Sequence, residues 1–219
     1  MKRKVIKTED GSSSIQIEEW GETYHSVYGA VQEAKHVYIQ NGLDLVNHLN
    51  SIVVLEMGFG TGLNAYLTYL AAMDKQLAIT YHAIEAYPVS EEELKALNYS
   101  EINGEDAAFL RLHHSPWNEL VKLNECFSLY KMLNTFEEQV VEKESYDLIY
   151  FDVFGYPFQP DLWSEEIFKK MYDALKVGGI LTTYACRGVI NRTMKTVGFE
   201  VKKVAGPPGK REMVIAYKR

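Results

Sequence analysis

Acidic and glycine residues with a spacing suited to ligand binding follow a buried strand near residue 55. The apolar run 52–55 is rich in β-branched residues and ends at Glu56, as a strand covered on both faces does. Three glycines follow at alternate positions: Gly58, Gly60 and Gly62. A helical pattern begins at Leu63, so the segment has the order strand, glycine turn, helix. In α/β sheets this unit binds nucleotide-like ligands, because a backbone without side chains lets the ligand approach closely.

Two more carboxylates end later strands. Residues 79–85 form a strand that ends at Glu85, where dinucleotide and adenosyl sites hold ribose hydroxyls. Residues 146–152 form another strand, which ends at Asp152. Because ligands in open α/β sheets bind outside the carboxyl ends of the strands, we expect Asp152 beside the glycine turn, where chemistry takes place. The structural alternatives are a solvated strand end for Glu85 and a turn cap for Asp152.

The spacing of the glycines indicates which ligand binds. A dinucleotide fingerprint is G-x-G-x-x-G and places a pyrophosphate on a helix N-terminus. Here the pattern is E-x-G-x-G-x-G, which resembles the first motif of the S-adenosylmethionine-dependent methyltransferases. The carboxylate of Glu56 suits a ligand with a cationic ammonium and sulfonium better than it suits a pyrophosphate. The alternatives are another nucleotide, or a turn that serves only strand-to-helix packing.

The composition is that of a globular protein. Hydrophobic residues make up 47% and aromatic residues 12% of the 219 residues, which argues against disorder. No apolar run approaches the ~20 residues of a membrane span, and the first residues lack the apolar core of a signal peptide. Cys126 and Cys186 are too few for a disulfide scaffold or a zinc site. We therefore expect a single cytoplasmic domain, residues 1–219, without a metal or a membrane partner.

Charge is distributed unevenly along the chain, whose net charge is -7. Residues 187–219 contain nine lysines and arginines against two glutamates, and residues 1–7 contain four more basic residues. A basic surface on an acidic body can contact a phosphate backbone. An ordinary set of solvated basic side chains explains the same composition equally well.

The order of elements predicts an α/β, Rossmann-like fold. Residues 1–50 form an N-terminal hairpin and a helix over 31–40, and residues 51–219 form the core. The core contains a mostly parallel seven-stranded sheet that ends in an antiparallel hairpin, which is the methyltransferase version of the fold. A helical insert at about 99–126 interrupts the core, and we expect it to form a substrate-side wall or lid.

Local signals predict where several helices begin and end. Gly42 follows the first helix, and the segment 90–93 has the S-x-x-E pattern of a capping box. Ser164 caps a later helix, which we expect to end at Gly178–Gly179.

Five blocks of the chain together resemble the MnmC-type methyltransferases. They are Tyr24-His-Ser with Gly29 to Ile39, Glu56 to Asn64, Ile84 to Pro88, Phe151 to Trp163, and Gly206 to Met213. The resemblance runs nearly end to end. It implies S-adenosylmethionine-dependent methylation of the 5-aminomethyl group of wobble uridine in tRNA, giving 5-methylaminomethyl-2-thiouridine. It also implies an upstream enzyme that supplies the amine; in many bacteria this is a fused flavin oxidase half, and we expect the stand-alone methyltransferase form here.

The resemblance and the strand ends together give a candidate site. Cofactor-binding residues are expected at Glu56, Gly58, Gly60, Gly62, Asn64, Glu85, Asn134 and Asp152. Asp152 is also the expected catalytic residue, because it can orient the amine and take up its proton. Phe154 is expected to stack on the uracil or face the sulfonium. The expected substrate-binding residues are Tyr24, His25, Glu33, Lys210 and Arg211, the last two as phosphate contacts.

Two residues depart from the family pattern. Phe158 stands where a basic residue is often found, and Asn134 stands where an acid is common. The first puts a nucleic-acid contact in doubt, and the second alters how adenine is held. Two alternatives to the tRNA methyltransferase therefore stay open: a methyltransferase of the same fold acting on a small amine or a protein, and a non-catalytic tRNA-binding module.

Overall fold

The computed structural model describes residues 2–104 and 106–219. A small antiparallel sheet at the N-terminus contains β1 (Arg3–Lys7), β2 (Ser13–Ile17) and β3 (Glu22–Thr23). The main sheet contains β4 (Ser51–Met57), β5 (Ala78–Glu85), β6 (Leu120–Lys122), β7 (Phe127–Leu133), β8 (Tyr146–Phe151), β9 (Leu175–Thr183), β10 (Glu200–Ala205) and β11 (Glu212–Tyr217). The helices are α1 (Ala30–Ala34), a π-helical segment (Lys35–Leu43), α2 (Asp44–Val46), α3 (Leu63–Lys75), α4 (Glu91–Ala96), α5 (Tyr99–Asn103), α6 (Asp106–His114), a 3-10 turn (Pro160–Trp163), α7 (Glu165–Ala174) and α8 (Gly188–Thr196).

The main sheet has the strand order β10-β11-β9-β8-β4-β5-β7-β6. Its central five strands pair in parallel, whereas β11 and β6 run antiparallel to their neighbours. Because β4 lies between β5 and β8, the carboxyl ends of these three strands share one edge of the sheet. Glu56, Glu85 and Asp152 therefore meet there, as the sequence predicts. The Rossmann-like fold with a closing antiparallel hairpin is confirmed.

The sheet has eight strands rather than the predicted seven. The additional strand, β6, lies inside the insert and pairs antiparallel with β7 at the sheet edge. Three residues are too few to show a two-residue period in a sequence, so the insert was predicted as helical throughout. The insert also forms no wall of the large cavity described below, so the prediction of a substrate-side wall or lid is wrong for its described residues.

Glycines ended two helices in the prediction but not in the structure. Helical backbone continues through Gly42 to Val46. A side chain at Gly42 would sit 3.1 Å from both Thr182 and Tyr150 of the sheet. That glycine permits close packing and does not stop the helix. Helix α7 ends at Ala174, and Gly178–Gly179 lie within β9, near an irregularity in its pairing with β8.

The N-terminal sheet confirms the predicted hairpin and adds the short strand β3. Strand β1 pairs antiparallel with β2, and β2 with β3. The guanidinium of Arg3 donates to the carbonyls of Tyr87 and Pro88, so the small sheet is tied to the loop that follows β5. The predicted capping box of α4 is present, with both of its reciprocal hydrogen bonds. Within the described part of the chain, no helix has the length and apolarity needed to span a membrane.

Candidate active site

A cavity of about 1310 Å³ opens at the carboxyl ends of the central strands. Small-molecule pockets commonly enclose ~300–1,000 Å³, so this cavity has room for a cofactor and part of a second molecule. Its lining comes from the N-terminal sheet and α1, the glycine turn, the loops after β5, β7 and β8, and the link between β10 and β11. Segments distant in sequence therefore share one site.

The glycine turn has a backbone that only glycine adopts easily. Gly58, Gly60 and Gly62 have φ angles of 95°, 51° and 71°, in the region that disfavours a Cβ atom. A Cβ atom at Gly58 would also sit 2.8 Å from the carbonyl oxygen of Asp152. The turn thus packs directly against the loop after β8. This backbone contact alone requires a glycine at position 58, whether or not a ligand is bound.

Buried polar side chains hold this turn through Thr61. The Thr61 hydroxyl lies 2.7 Å from Nε2 of His25 and accepts a hydrogen bond from Tyr99. Nε2 of His113 donates to the Thr61 carbonyl at 3.1 Å. Burial lowers the pKa of His25 to about 4 and that of His113 to about 3, so both rings are neutral at pH 7. His25, predicted to bind substrate, lines the cavity but is engaged by the turn.

Glu56 is fully buried, and among the described residues none makes a well-formed hydrogen bond to either of its carboxyl oxygens. Burial raises its pKa well above the usual value, and the charge of Asp152 adds to this effect. Asn64 and the Tyr81 hydroxyl lie near enough to Glu56 to offset a part of this rise in pKa. Glu56 lies just beneath the cavity lining rather than in it. A buried carboxyl whose hydrogen bonding is incomplete favours a cationic ligand, such as the ammonium or sulfonium of S-adenosylmethionine.

Glu85 faces the cavity and already binds the glycine turn. Its carboxylate accepts the N–H groups of Gly60 at 2.9 Å and Tyr87 at 2.7 Å. Each carboxylate oxygen has a second lone pair, so the group can still accept hydrogen bonds from two ribose hydroxyls. This arrangement, with the open glycine backbone, fits the predicted cofactor.

Asn134 is not brought to the cavity. Its side-chain amide contacts Gln139 and the N–H of Thr135, which closes a local turn after β7. The next residues, 135–137, line the cavity instead. The ring of Phe136 lies 4.0 Å from the Cβ position of Gly58 and lines the cavity, a position that was not predicted. An aromatic residue three positions beyond the end of β7 was the available signal.

Asp152 lies between the glycine turn and the rest of the cavity. Its Oδ2 atom accepts a hydrogen bond from the amide of Asn64 at 2.8 Å. The pKa of Asp152 is raised to about 7, mainly by burial; the charge of Glu33 acts in the same direction, whereas Tyr38, Asn64 and Lys210 oppose the shift. A carboxylate with this pKa is about half ionised at neutral pH, so it can accept a proton from a substrate and return it.

An aromatic wall, made of Trp20, Tyr24, Phe154 and Phe158, lines the cavity next to Asp152. The ring of Phe154 meets Tyr24 and Trp20 edge to face, with centroids 5.1 and 5.5 Å apart. Trp20 is nearly parallel to Phe158, 6.0 Å away. Sequence reasoning assigned no role to Trp20 and treated Phe158 only as a departure, because isolated aromatics in loops give no pattern.

Glu33 and Lys210 form an ion pair inside the cavity. Lys210 therefore points inward, and the predicted phosphate contact rests on Arg211, which is exposed and also lines the cavity. Arg187, before α8, is a second exposed cation of the lining and was not predicted. Among the described residues, neither arginine takes part in an ion pair, whereas Lys203 and Arg219 of the same basic region do.

Comparisons with known proteins agree with this architecture. A family model described as S-adenosyl-L-methionine-dependent methyltransferase matches residues 116–219. The bifunctional tRNA 5-methylaminomethyl-2-thiouridine biosynthesis protein MnmC of Burkholderia multivorans is 28% identical over 210 residues, which are 90% of this chain and 32% of that protein. The MnmC of Leptospira interrogans is 29% identical over 220 residues, 90% of this chain and 33% of that protein.

The similar solved structures show the same fold. MNMC2 from Aquifex aeolicus has a TM-score of 0.81 at 23% identity and covers 100% of this chain and 70% of its own. Spermidine synthase from Thermotoga maritima has a TM-score of 0.58 at 15% identity, with 98% and 67% covered. The chain spans about one third of the length of the curated relatives it matches. With the sheet topology and the glycine turn, these matches show that the chain has the Rossmann-like fold of S-adenosylmethionine-dependent methyltransferases and is similar in sequence to part of MnmC.

Proposed function

We propose that this chain methylates the 5-aminomethyl group of wobble uridine in tRNA, giving 5-methylaminomethyl-(2-thio)uridine. The observation that carries the proposal is the position of Asp152, between a glycine turn suited to the cofactor and an aromatic wall suited to a base. The printed name of the relatives, a tRNA 5-methylaminomethyl-2-thiouridine biosynthesis protein, supports the same substrate. We take residues 1–219 as one catalytic unit that acts in the cytoplasm.

The cofactor half of the cavity is defined here as the glycine turn 58–62 with Glu56, Asn64 and Glu85. S-adenosylmethionine, when bound, supplies a methyl group on a positively charged sulfur. Glu85 would hold the ribose hydroxyls, and the open backbone at Gly58 and Gly60 would allow close approach. Glu56 would ionise beneath the cationic end of the ligand, which offsets the cost of its burial.

Asp152 prepares the amine for attack. A free alkyl amine has a pKa near ~10, so it reaches the site mostly as an ammonium, which is not a nucleophile. Asp152 accepts one proton from the ammonium and leaves a neutral nitrogen with a free electron pair. That nitrogen forms the new N–C bond while the C–S bond breaks and its electrons stay on sulfur. The product leaves as a secondary ammonium, and protonated Asp152 releases its proton to solvent, which regenerates the base.

The substrate half of the cavity is defined here as the aromatic wall with the Glu33–Lys210 pair. Proteins read single-stranded RNA bases largely by stacking them on aromatic side chains, and an anticodon loop presents such bases. Trp20, Phe154 and Phe158 together provide that surface within reach of Asp152. A small aliphatic amine has no aromatic face to stack on these three rings, which favours the nucleobase over the small-amine alternative.

Two exposed arginines at the cavity can meet the phosphates that flank the base. Arg187 and Arg211 lie on different elements of the lining, so they can contact successive phosphates. Other basic side chains in residues 187–219 already form ion pairs, so they contribute less to phosphate binding than the charge of this region suggests. The proposal therefore assigns tRNA a small contact surface around the cavity rather than the whole basic region.

Methyl transfer to defined tRNA tests the proposal. The protein is incubated with labelled S-adenosylmethionine and tRNA that carries 5-aminomethyluridine, the product of the required upstream enzyme, and nucleosides are then separated. We expect label only in 5-methylaminomethyluridine, and none when the tRNA carries unmodified wobble uridine. Label in a free amine or in protein but not in tRNA would favour the small-amine or protein methyltransferase. Tight tRNA binding without any transfer would favour the non-catalytic module.

A further inference from the structure

A partly buried ion pair joins two segments that lie 177 positions apart in the chain, at Glu33 and Lys210. Glu33 lies on α1, and its side chain is only 8% exposed. Lys210 lies on the link between β10 and β11, and its ammonium donates to Glu33 Oε1. The second carboxylate oxygen accepts the N–H of Ser26 at 2.7 Å, and the ammonium lies 4.8 Å from the ring centre of Tyr184. The pair is therefore fixed on both sides.

The pair lines the same cavity as Asp152 and acts on that carboxyl with opposite signs. The negative charge of Glu33 raises the pKa of Asp152, and the positive charge of Lys210 lowers it. Interactions between charges are stronger in a partly buried site than in bulk water. The net effect on Asp152 therefore depends on both members being present and held in place.

We propose that the Glu33–Lys210 pair is a positioning element for methyl transfer, in which the two opposite charges balance each other's action on Asp152, the group that receives the proton of the substrate ammonium. The proposal rests on the proposed function, because it assigns Asp152 to the amine. The pair touches neither the reacting nitrogen nor the methyl group in this assignment. It acts through Asp152, and it also closes the N-terminal extension against the C-terminal hairpin.

Other groups face Asp152 and are unchanged by the tests below. The Tyr38 hydroxyl and the Asn64 amide favour its ionised form. Glu56 lies beneath it, and the buried hydroxyls of Tyr81 and Tyr184 are close enough to interact with its charge. Lys210 also acts on two cavity neighbours, Glu22 and His25, which belong to the N-terminal segment.

Single charge removals should move the pH dependence of methyl transfer in opposite directions. The acid limb of kcat/KM reports the carboxyl that must be ionised in the free enzyme. In Glu33→Gln the anion is lost, so the limb should move to lower pH by about one unit. In Lys210→Met the cation is lost, so it should move to higher pH by a similar amount. The double variant should return close to the parent profile, and Lys210→Arg should keep the limb in place.

A matched pair provides the control. Lys122 and Glu125 form an exposed ion pair next to β6, at the opposite edge of the main sheet. Lys122→Met and Glu125→Gln make the same charge changes and should leave the profile unchanged. No shift in either cavity variant, or shifts in the same direction, would overturn the positioning role.

Direct titration of Asp152 separates this proposal from the proposed function. Carbon-13 NMR of the aspartate carboxyls, assigned with Asp152→Asn, follows the group without substrate or cofactor. We expect its midpoint to move down in Glu33→Gln and up in Lys210→Met. If these shifts occur but the parent protein does not methylate tRNA, the proposed tRNA substrate is refuted and the action of the pair on Asp152 is supported. Normal methylation with an unmoved midpoint would refute the pair's action alone.

Discussion

The cofactor half and the substrate half of the cavity are built in different ways. The cofactor half is built around backbone, with Gly58 and Gly60 packed against the ends of the strands adjacent to β4. The substrate half consists of side chains from segments far apart, such as Trp20 and Lys210. Backbone geometry tolerates few substitutions, whereas a wall of side chains can be rebuilt for another substrate. The difference explains how one fold can keep its cofactor while its substrate changes.

The largest effect is expected from a methyl group added to the cofactor half. Gly58→Ala must accommodate a φ of 95° and a Cβ atom 2.8 Å from the Asp152 carbonyl. Gly178→Ala is the matched control, since Gly178 has a φ of 86° with open space around it. Both carry ~1–3 kcal/mol of strain, but calorimetry should show loss of S-adenosylhomocysteine binding only for Gly58→Ala. Equal affinities in the two variants would mean that the turn is not the cofactor site.

A smaller and more selective effect is expected from the substrate half. Trp20→Ala removes one ring of the aromatic wall, and base stacking on an aromatic is worth ~1–3 kcal/mol. KM for tRNA should rise accordingly, while affinity for S-adenosylhomocysteine stays at the parent value. Trp20→Phe should recover most of the loss. A parallel fall in cofactor affinity would show that the two halves are not separable.

A third change concerns the buried acid of the cofactor half. The pKa of Glu56 is raised in the folded state, so ionised Glu56 destabilises the fold relative to its protonated form. The free energy of unfolding therefore falls as pH rises from the unfolded-state pKa of Glu56 through its higher folded-state pKa. In cofactor-free protein, Glu56→Gln should therefore raise Tm increasingly from pH 5 to pH 9, and it should weaken cofactor binding. The exposed Glu101→Gln should show neither effect. A Tm difference independent of pH would exclude a buried titrating carboxyl.

The smallest effect is expected at the rim of the substrate half. Each phosphate contact on a single strand contributes ~0.7 to the slope of log affinity against log salt. Arg211→Ala should flatten that slope for tRNA by about one contact or less and leave cofactor affinity alone. Lys122→Ala, on the far edge of the sheet, is the control. An unchanged slope in Arg211→Ala would show that this arginine is only a solvated side chain.

The cofactor half could be predicted from the sequence because its determinants are local. A strand that ends in an acid, a run of alternate glycines and the rule that ligands bind at the carboxyl ends of parallel strands bring Glu56, Glu85 and Asp152 together. The structure confirms that placement. Asn134 shows the limit of the same reasoning, because a position after a strand does not determine the direction of a side chain held by its own turn.

The substrate half could be predicted only in part. The resemblance marked Tyr24, Glu33 and Lys210, yet nothing in the sequence pairs a glutamate with a lysine 177 residues later. Trp20 contacts Phe158 only because the N-terminal sheet folds over the loop after β8. Such contacts depend on tertiary packing, which periodicity and turn signals do not encode.

The central claim is that Asp152 joins the two halves and receives the proton of the amine. Asp152→Asn removes this base while an amide of the same shape remains beside Asn64. The direct measurement compares its methyl transfer to aminomethyluridine tRNA with its affinity for S-adenosylhomocysteine. We expect turnover to fall by about 10²- to 10⁴-fold with cofactor affinity near the parent value. Turnover near that of the parent would contradict the assignment of Asp152 as the base.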